Sequence, residues 1–364
     1  MEPRSFTVAY APHVHDGSSA RRIMWTVFLA LVPAAAVSVY AFGLDALRVL
    51  ALSTALCVAM EWAALLIMKR DPKACLDGSA ALTGFLLGLT LPSGLSNGII
   101  VVGAFVAIIV AKQVFGGLGH NPFNPALTSR VFLLIAFPKQ LTTWPVPRGL
   151  EEIKEYMGLA VTRTTDAVTS ATPLGAIKEH AQKAMPNIQL NDLFFGVHTP
   201  GSIGEISALA LLVGAAFLLY KRIITWHIPV ATLVTVAVLG GLTHLANPGK
   251  YADPVFHLFA GGLFIGAFFM ATDYVTAPVW PLGKLVYGFG IGLLTMVIRL
   301  WGGYPEGISF AILLMNAVTP LLDRYTVPTP FGSRAASAKA APAKPAQEKA
   351  APAKPAHEKA GGES

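Results

Sequence analysis

The sequence predicts an all-α polytopic membrane protein with about ten transmembrane helices, in two five-helix halves with an extracytoplasmic loop between them. The 364-residue chain is 54% hydrophobic, and its mean hydropathy is +0.58. Only 13% of its residues are charged, whereas soluble domains carry roughly 25%. The net charge of +7 lies mostly in short loops and in a Lys-rich tail, which indicates membrane topology rather than nucleic-acid binding.

The first half, residues 24–137, follows a polar N-terminal segment of residues 1–23. Two apolar pieces, 77–92 and 127–137, are short for a hydrocarbon core of roughly 30 Å at a helical rise of about 1.5 Å per residue. They are predicted to be tilted short spans or re-entrant half-helices. Gly, Pro and Asn flank them, and such interrupted segments indicate a binding site at membrane depth. Three further runs are long enough to span: 24–42, 47–68 and 98–113.

A polar loop, residues 138–203, leads to the second half, residues 204–324. The chain then ends in residues 325–364, where a Pro/Ala/Lys segment at 341–350 recurs with one change at 351–360. This tail lacks the apolar residues needed to build a core, so it is predicted to be disordered and cytoplasmic. The second half has five apolar runs: 204–220, 226–245, 255–272, 285–301 and 307–323.

The distribution of Lys and Arg predicts the orientation of the chain. With the N-terminus in the cytoplasm and ten spans, short cytoplasmic segments receive twelve basic residues, Lys112 and Arg130 among them. External loops receive three, one of which is Arg299. This bias places both termini in the cytoplasm and residues 138–203 outside. If both short pieces re-enter, the loop stays outside by parity.

The external loop contains Asp166–Pro173, with the sequence DAVTSATP. By composition alone this is a turn-prone, solvated Ser/Thr cluster. A threonine hydroxyl is a weak nucleophile that needs activation, and Lys178 and His180 are merely near Thr172 in sequence. No residue of the chain is therefore predicted to be catalytic. Pro173 biases Thr172 away from helical backbone.

The same stretch resembles the flavinylation motif of the membrane-bound Rnf and Na⁺-translocating NADH:quinone reductase families, through Asp166, Thr169, Ser170, Ala171 and Thr172. In those families the last threonine carries FMN through a phosphoester bond, and a separate flavin transferase attaches it. The resemblance implies that Thr172 holds covalent FMN. Small Ser170 and Ala171 would then let the transferase approach, while Asp166 and Thr169 offer polar handles.

The resemblance covers nearly all of residues 1–325. It implies a protein similar to the D subunit of Rnf complexes, in a bacterial inner-membrane oxidoreductase that links ferredoxin and NAD to Na⁺ or H⁺ translocation. The implied partners are other membrane and peripheral subunits, including another flavinylated subunit and iron–sulfur subunits, together with the flavin transferase and membrane lipid. Further segments that look like the family are Asp77–Pro92, Gly116–Arg130, Gly201–Glu205, Met270–Asp273 and Tyr304–Gly307.

The resemblance also implies a second, non-covalent flavin, riboflavin, toward the cytoplasmic side. Asn121 and Asn124 lie in a Gly/Asn/Pro segment that could form a wall of its site, because amides can bond the edge of an isoalloxazine ring. The alternative is helix capping, since Asn before an apolar run is a good N-cap.

Three acidic residues lie in or beside apolar runs, where a carboxylate is costly and is a functional candidate. Glu61 is the most embedded, and it is predicted either to lie on an ion or proton path or to pack against backbone or Trp62. Asp273 is the second candidate for the ion path, or an interface cap. Asp323 is predicted to form a surface ion pair with Arg324.

Two other classes of function remain open. A channel or secondary transporter would suit the paired short segments and the aquaporin-like Asn124–Ala126 tripeptide, although that fold needs two such tripeptides. A structural scaffold would explain the spans but not the external motif. No metal site is predicted, because His13 and His15 lack further ligands nearby. Flavin content distinguishes the redox subunit from both alternatives.

Overall fold

The computed structural model describes residues 19–147, 169–170, 172–180, 190–195 and 200–328. The predictions for residues 1–18, for Asp166 and Ala171, and for the tail beyond 328 lie outside the described residues. The described chain up to Thr326 belongs to one compact unit. It is helical apart from one pair of two-residue strands, in agreement with the predicted all-α class.

In the first half, a 3₁₀ turn at Pro72–Asp77 precedes α2, and α3 continues as a π-helical segment over Val106–Gln113. In the second half, a 3₁₀ turn at Ile203–Glu205 precedes α8, and α11 continues as a π-helical segment over Gly266–Met270. The first-half helices are α1 Ala20–Ile67, α2 Ser79–Leu89, α3 Asn97–Phe105 and α4 Pro125–Ala136. The loop contributes α5 Pro138–Leu141, β1 Trp144–Pro145, β2 Thr169–Ser170, α6 Pro173–His180 and α7 Leu190–Phe195. The second-half helices are α8 Ala208–Tyr220, α9 His227–Ala246, α10 Pro254–Phe259, α11 Leu263–Ile265, α12 Pro281–Trp301 and α13 Ile308–Thr326.

Helix α1 contains both of the first two predicted spans. Its backbone leaves helical geometry at Gly43, with φ 66° and ψ −146°. Only glycine adopts such a conformation without steric cost. Residues on both sides of the break, such as Phe28 and Trp62, line one apolar groove. The two predicted spans are therefore two arms that face each other across Gly43.

The prediction of one continuous apolar segment over 255–272 is wrong. Helix α10 ends at Phe259, Ala260 is extended, and Gly261 has φ +72° before α11 begins. A side chain at Gly261 would also meet Leu174 at 2.7 Å, so the break is built around a contact with α6. The second half thus has broken helices of its own beside the two short pieces of the first half.

By length and hydropathy, α1, α9 and α12 are able to cross a membrane among the described residues. Helices α2 and α4 are apolar but only 11 and 12 residues long, in agreement with the two predicted short pieces. Helix α8 is likewise short, at 13 residues. The apolar helices indicate a membrane protein, while the number of spans stays a prediction.

The core joins both halves of the chain. Helix α1 packs against α2 and against α8, while α12 packs between α9 and α13. At α2, a Cβ on Gly84 would lie 2.6 Å from the Ser53 carbonyl oxygen, so α2 approaches the backbone of α1 closely. The loop has a small apolar cluster of its own, in which Leu174 and Leu193 pack against Phe256 and Ala260. That cluster fixes α6 and α7 on the end of α10.

Candidate functional site

Thr172 lies directly before α6, where it acts as the helix N-cap. Its Oγ1 accepts a hydrogen bond from the Gly175 amide at 3.1 Å, and its carbonyl accepts one from Ala176 at 2.8 Å. Pro173 opens the helix, a position where its missing N–H is harmless. The side chain is only 6% exposed. The predicted acceptor hydroxyl is therefore packed into the protein at the positive end of a helix.

A cavity of about 300 Å³ opens beside Thr172. The short sheet positions its wall, because Trp144 pairs with Ser170 and Pro145 pairs with Thr169 in antiparallel register. Trp144 lies on one part of the lining and Tyr304 on another. The motif strand is thus tied to an aromatic wall.

A buried charge cluster forms the floor of this cavity. Arg130 on α4 forms an ion pair with Glu306, and its Nη1 lies 3.6 Å from Oε1 of Glu205. Nη1 also donates to the carbonyl of Thr90 at 2.9 Å. The side chains of Arg130 and Glu205 are 8% and 5% exposed. Arg130 is therefore not a solvated loop charge, because a buried carboxylate rather than water neutralises it, and its assignment to the cytoplasmic side stays a prediction.

Lys178 on α6 does not serve Thr172 as a base. Its ammonium group donates to the carbonyl oxygens of Gly302 and, at 3.0 Å, Tyr304. Partial burial lowers the pKa of Lys178, but these two bonds hold the side chain against the turn that follows α12. Lys178 is therefore not available to Thr172 as a base in the described part of the loop.

A second cleft, of about 70 Å³, lies at the other ends of α2 and α4. The two π-helical segments border it: Lys112 comes from the first, and Phe268 and Phe269 come from the second. Such π segments are rare and occur frequently at functional sites. The start of α1, with Ile23, closes the cleft on another side.

Asn124 and Asn121 both line this cleft. Asn124 caps α4, since its Oδ1 accepts from Ala126 at 3.1 Å and Leu127 at 3.3 Å. Its Nδ2 donates to the Met270 carbonyl at 3.2 Å. Asn124 therefore acts as a helix N-cap, as the alternative to flavin binding predicted. Asn121 uses only its Nδ2, toward the Phe123 carbonyl at 3.0 Å, in the bonds the structure describes.

Glu61 forms a buried ion pair with Lys112, at 2.6 Å. Gln113 donates to the same carboxylate at 2.7 Å, and Lys112 also donates to Ser79 at 2.6 Å. Trp62 is 51% exposed and faces away, so the alternative that paired Glu61 with Trp62 is wrong. Lys112 is likewise buried against an acidic partner rather than solvated, and its assignment to the cytoplasmic side stays a prediction.

Asp273 lines the same cleft and accepts a bond from Thr276 Oγ1 at 3.2 Å. Asp323 does not pair with Arg324, because its Oδ1 accepts from the Val279 amide at 2.9 Å instead. Its surface ion pair is therefore a wrong prediction. Asp273 lies near Lys112 at the cleft, whereas Asp323 holds the chain before α12.

Sequence reasoning missed the buried partners of the charged residues. Arg299 is 6% exposed within α12, and it donates to the carbonyls of His257 and Ala260 at 2.5 and 2.8 Å. An ionisable residue inside an apolar run is a signal of function or pairing. Lys112, Arg130 and Arg299 all carried that signal, but counting them as loop charges concealed it.

The two sites differ in how well they fit a flavin. At the Thr172 site, a cavity of about 300 Å³ with aromatic walls adjoins the acceptor hydroxyl and a helix N-terminus, which favours a phosphate. At the Asn121 cleft the lining offers amide, ammonium and aromatic groups, but about 70 Å³ holds only a few water molecules. That cleft would have to widen to admit a three-ring heterocycle.

Comparison with known proteins agrees with this architecture. A family model described as the NQR2, RnfD, RnfE family matches residues 7–332. The D subunit of the Na⁺-translocating ferredoxin:NAD⁺ oxidoreductase complex of Acetobacterium woodii is 44% identical over 327 residues, covering 90% of this chain and 95% of the relative. The D subunit of the proton-translocating ferredoxin:NAD⁺ oxidoreductase complex of Clostridium ljungdahlii is 42% identical over 339 residues, covering 90% and 97%.

A third relative, the D subunit of the ion-translocating oxidoreductase complex of Stutzerimonas stutzeri, is 42% identical over 340 residues, covering 90% of this chain and 96% of the relative. The matched region includes the short helices α2 and α4, the loop with Thr172, and the helix breaks at Gly43 and Gly261. The similarity therefore extends over the whole helical unit rather than over one motif. The family resemblance found in the sequence is confirmed, and the chain belongs to the NQR2, RnfD and RnfE family.

Proposed function

We propose that this chain is the membrane subunit of an Rnf-type ion-translocating oxidoreductase, in which it passes electrons through covalent FMN on Thr172 and a second, non-covalent flavin. Membership in the family and the names of the relatives support the complex. The observation that carries the flavin proposal is the placement of Thr172, whose hydroxyl caps α6 beside a cavity of about 300 Å³.

In this proposal FMN supplies one-electron and two-electron redox chemistry when it is bound. The chain's own residues position it: Thr172 supplies the ester oxygen, and the amino end of α6 favours the phosphate charge. Trp144 and Tyr304 offer apolar faces for an aromatic ring. Arg130 gives the floor a positive group that is already paired with Glu306.

The flavin transferase is expected to act before the loop is fully packed, because Thr172 is only 6% exposed in the folded chain. This fits a loop whose acceptor lacks an internal base. Thr169, Ser170 and the residues outside the described chain, Asp166 and Ala171, would serve as the recognised motif. The proposed orientation is a bacterial inner-membrane protein with both termini cytoplasmic and residues 138–203 periplasmic, so the transferase would work from the periplasm.

The second flavin, riboflavin, is proposed for the cleft between the π-helical segments. Asn121 is its best amide candidate, because Asn124 is occupied as an N-cap. Lys112, Glu61 and Asp273 lie at or next to this cleft and are proposed for the ion path. Other Rnf subunits, including a second flavinylated subunit and iron–sulfur subunits, would supply and accept the electrons.

The test is flavin fluorescence of the denatured protein from the purified complex, with peptide mapping. Wild-type protein should keep a fluorescent flavin on the peptide that contains Thr172. Thr172→Val should lose it, whereas Thr142→Val, a hydroxyl change in the lining of the same cavity, should keep it. Covalent flavin retained in Thr172→Val would refute the assignment. A flavin-free wild-type complex would favour a channel or transporter instead.

A further inference from the structure

Glu205 is a buried carboxylate, and one of its oxygens has no hydrogen-bond partner among the described residues. It ends the 3₁₀ turn Ile203–Glu205, and its side chain is 5% exposed. Its Oε1 lies 3.6 Å from Nη1 of Arg130, yet this oxygen accepts no hydrogen bond from any residue that the structure describes. An ionised carboxylate in such a place loses hydration without gaining hydrogen bonds in return.

Arg130 cannot fully neutralise Glu205, because its guanidinium group already forms an ion pair with Glu306. Its Nη2 bonds Glu306 and its Nη1 donates to the Thr90 carbonyl. Two carboxylates therefore compete for one guanidinium. Like charges that share a site raise the cost of ionising both, so one of the two tends to keep a proton.

Arg299 is a second cation near Glu205 and Glu306, and its charge acts on both carboxylates, but it forms no ion pair with either one. Arg299 on α12 directs its guanidinium at the carbonyls of His257 and Ala260, at the end of α10. Within the described chain it lies beyond 4.0 Å from any carboxylate oxygen, since it forms none of the ion pairs found there. The His257 ring is buried, and both of its nitrogens lack a partner among the described residues, so it gives Glu205 no hydrogen bond.

A cavity the size of one water molecule connects Glu205 to the Thr172 site. It measures about 20 Å³ and is lined by Glu205, Glu306, Thr172, Gly201 and Gly261. Roughly 10–15 Å³ is enough for one water molecule. Thr172 and Glu306 line the cavity of about 300 Å³ as well. One bridging water would therefore give Glu205 a route for proton exchange with the larger cavity.

We propose that Glu205 is a proton-binding site of the loop end of the protein, protonated at neutral pH, while Glu306 stays ionised as the partner of Arg130. The ligand is a single proton, and its release leaves the Glu205 carboxylate facing Arg130. The site stands on the geometry of these side chains alone. That its proton is coupled to redox chemistry at Thr172 rests in addition on the proposed function.

Infrared difference spectroscopy of the purified complex tests the protonation directly. The wild-type spectrum should contain the carbonyl stretch of a protonated carboxylic acid at neutral pH, and this band should vanish as the pH is raised. Glu205→Gln should remove the band with little change in the thermal unfolding midpoint, because it replaces a neutral acid by a neutral amide. Glu306→Gln leaves Glu205 as the remaining carboxylate beside Arg130, so the band should vanish at a lower pH than in wild type; an unchanged pH dependence would contradict the competition for Arg130.

Two results would overturn the proposal: no pH-sensitive band that Glu205→Gln removes, or loss of the band on adding Na⁺ at constant pH. The Thr172→Val complex should keep the band, so the protonation of Glu205 can be measured even if the flavin assignment to Thr172 fails. In flavin-loaded complex, the midpoint potential of the covalent flavin should depend less on pH in Glu205→Gln than in wild type. An unchanged slope would remove the redox coupling.

Discussion

The Thr172 site and the Asn121 cleft occupy opposite ends of α2 and α4, and they are built in different ways. The Thr172 site combines loop segments with a cavity of about 300 Å³ and one arginine between two glutamates. The Asn121 cleft combines helix ends and π-helical segments around about 70 Å³, and its lysine has one glutamate. The larger cavity at the Thr172 end, where two glutamates share one arginine, suits a tethered cofactor and a bound proton. The narrow end holds Lys112 with Glu61 and Asp273 as its acidic neighbours, and it would have to widen to admit a flavin.

The largest expected effect is the loss of the cation at the Thr172 end. Arg130→Met leaves the Glu306 carboxylate buried without its positive partner, which should cost about 3–5 kcal/mol in the free energy of unfolding. The measurement is the thermal unfolding midpoint of the complex in detergent. Arg324→Met is the matched control, because Arg324 is exposed near the end of α13 and forms no ion pair with the described residues, so it should change stability by only about 0–1 kcal/mol. Equal effects of the two changes would contradict the buried cluster.

At the other end, the Glu61–Lys112 pair should show coupling in a double-mutant cycle. Lys112→Met alone strands a buried carboxylate, whereas Glu61→Gln together with Lys112→Met removes both charges. The double variant should therefore be more stable than the sum of the singles predicts, by about 0.5–3 kcal/mol. Thermal unfolding of the four proteins measures this term. Strict additivity would mean that the pair at 2.6 Å does not act as a unit.

Helix α2 connects the two ends, and its packing should resist added volume. Gly84→Ala would place a Cβ 2.6 Å from the Ser53 carbonyl oxygen, and such overpacking costs about 1–3 kcal/mol. Gly98→Ala on α3 meets nothing within 4 Å and serves as the control. The unfolding midpoint should fall for Gly84→Ala and hold for Gly98→Ala. A reversed order would contradict the close approach of α2 to α1.

The smallest expected effect separates the two asparagines. Asn121→Ala should weaken the non-covalent flavin, by a loss of about 0.5–1.5 kcal/mol for one hydrogen bond, and leave covalent flavin unchanged. Asn124→Ala should instead lower stability, by about 0.5–2 kcal/mol for a lost N-cap. Extractable flavin per polypeptide and the unfolding midpoint measure the two outcomes. If Asn121→Ala affects only stability, the second flavin lies elsewhere.

The relatives do not decide which ion this chain would serve. The D subunits of complexes named for Na⁺ and for protons are 44% and 42% identical to it. Overall identity to the two relatives is so similar that it does not indicate the ion. The Glu205 test is informative here, because it responds differently to Na⁺ and to protons.

Basic residues illustrate the limit of counting charges along a sequence. Lys112 and Arg130 are two of the twelve residues that the count assigns to cytoplasmic segments, and both are buried in ion pairs. Arg299, one of the three external residues, is buried as well. Without these three residues, ten basic residues remain in predicted cytoplasmic segments and two in predicted external loops, so the bias keeps its direction. The orientation therefore stays a prediction that the remaining basic residues support.

The sequence alone determined the helical membrane class, the family, and the short α2 and α4, and it predicted that Pro173 keeps Thr172 out of helical backbone. These features depend on composition, on local runs, and on Pro and Asn at helix starts, all of which are encoded by neighbouring residues. It also found Glu61 as an unusual carboxylate. It missed the break at Gly261, because the glycine pair Gly261–Gly262 in an apolar run does not by itself reveal that Leu174 packs there.

Only the tertiary structure decided which charges meet. Arg130 is 75 residues from Glu205 and 176 from Glu306 in the numbering, and Glu61 is 51 from Lys112. Ion pairs between such distant residues follow from how helices pack, and neither residue carries a local signal of its partner. The same holds for Thr172, since its sequence predicts a modified loop residue, but only packing brings it beside Trp144, Glu306 and the water-sized cavity that reaches Glu205.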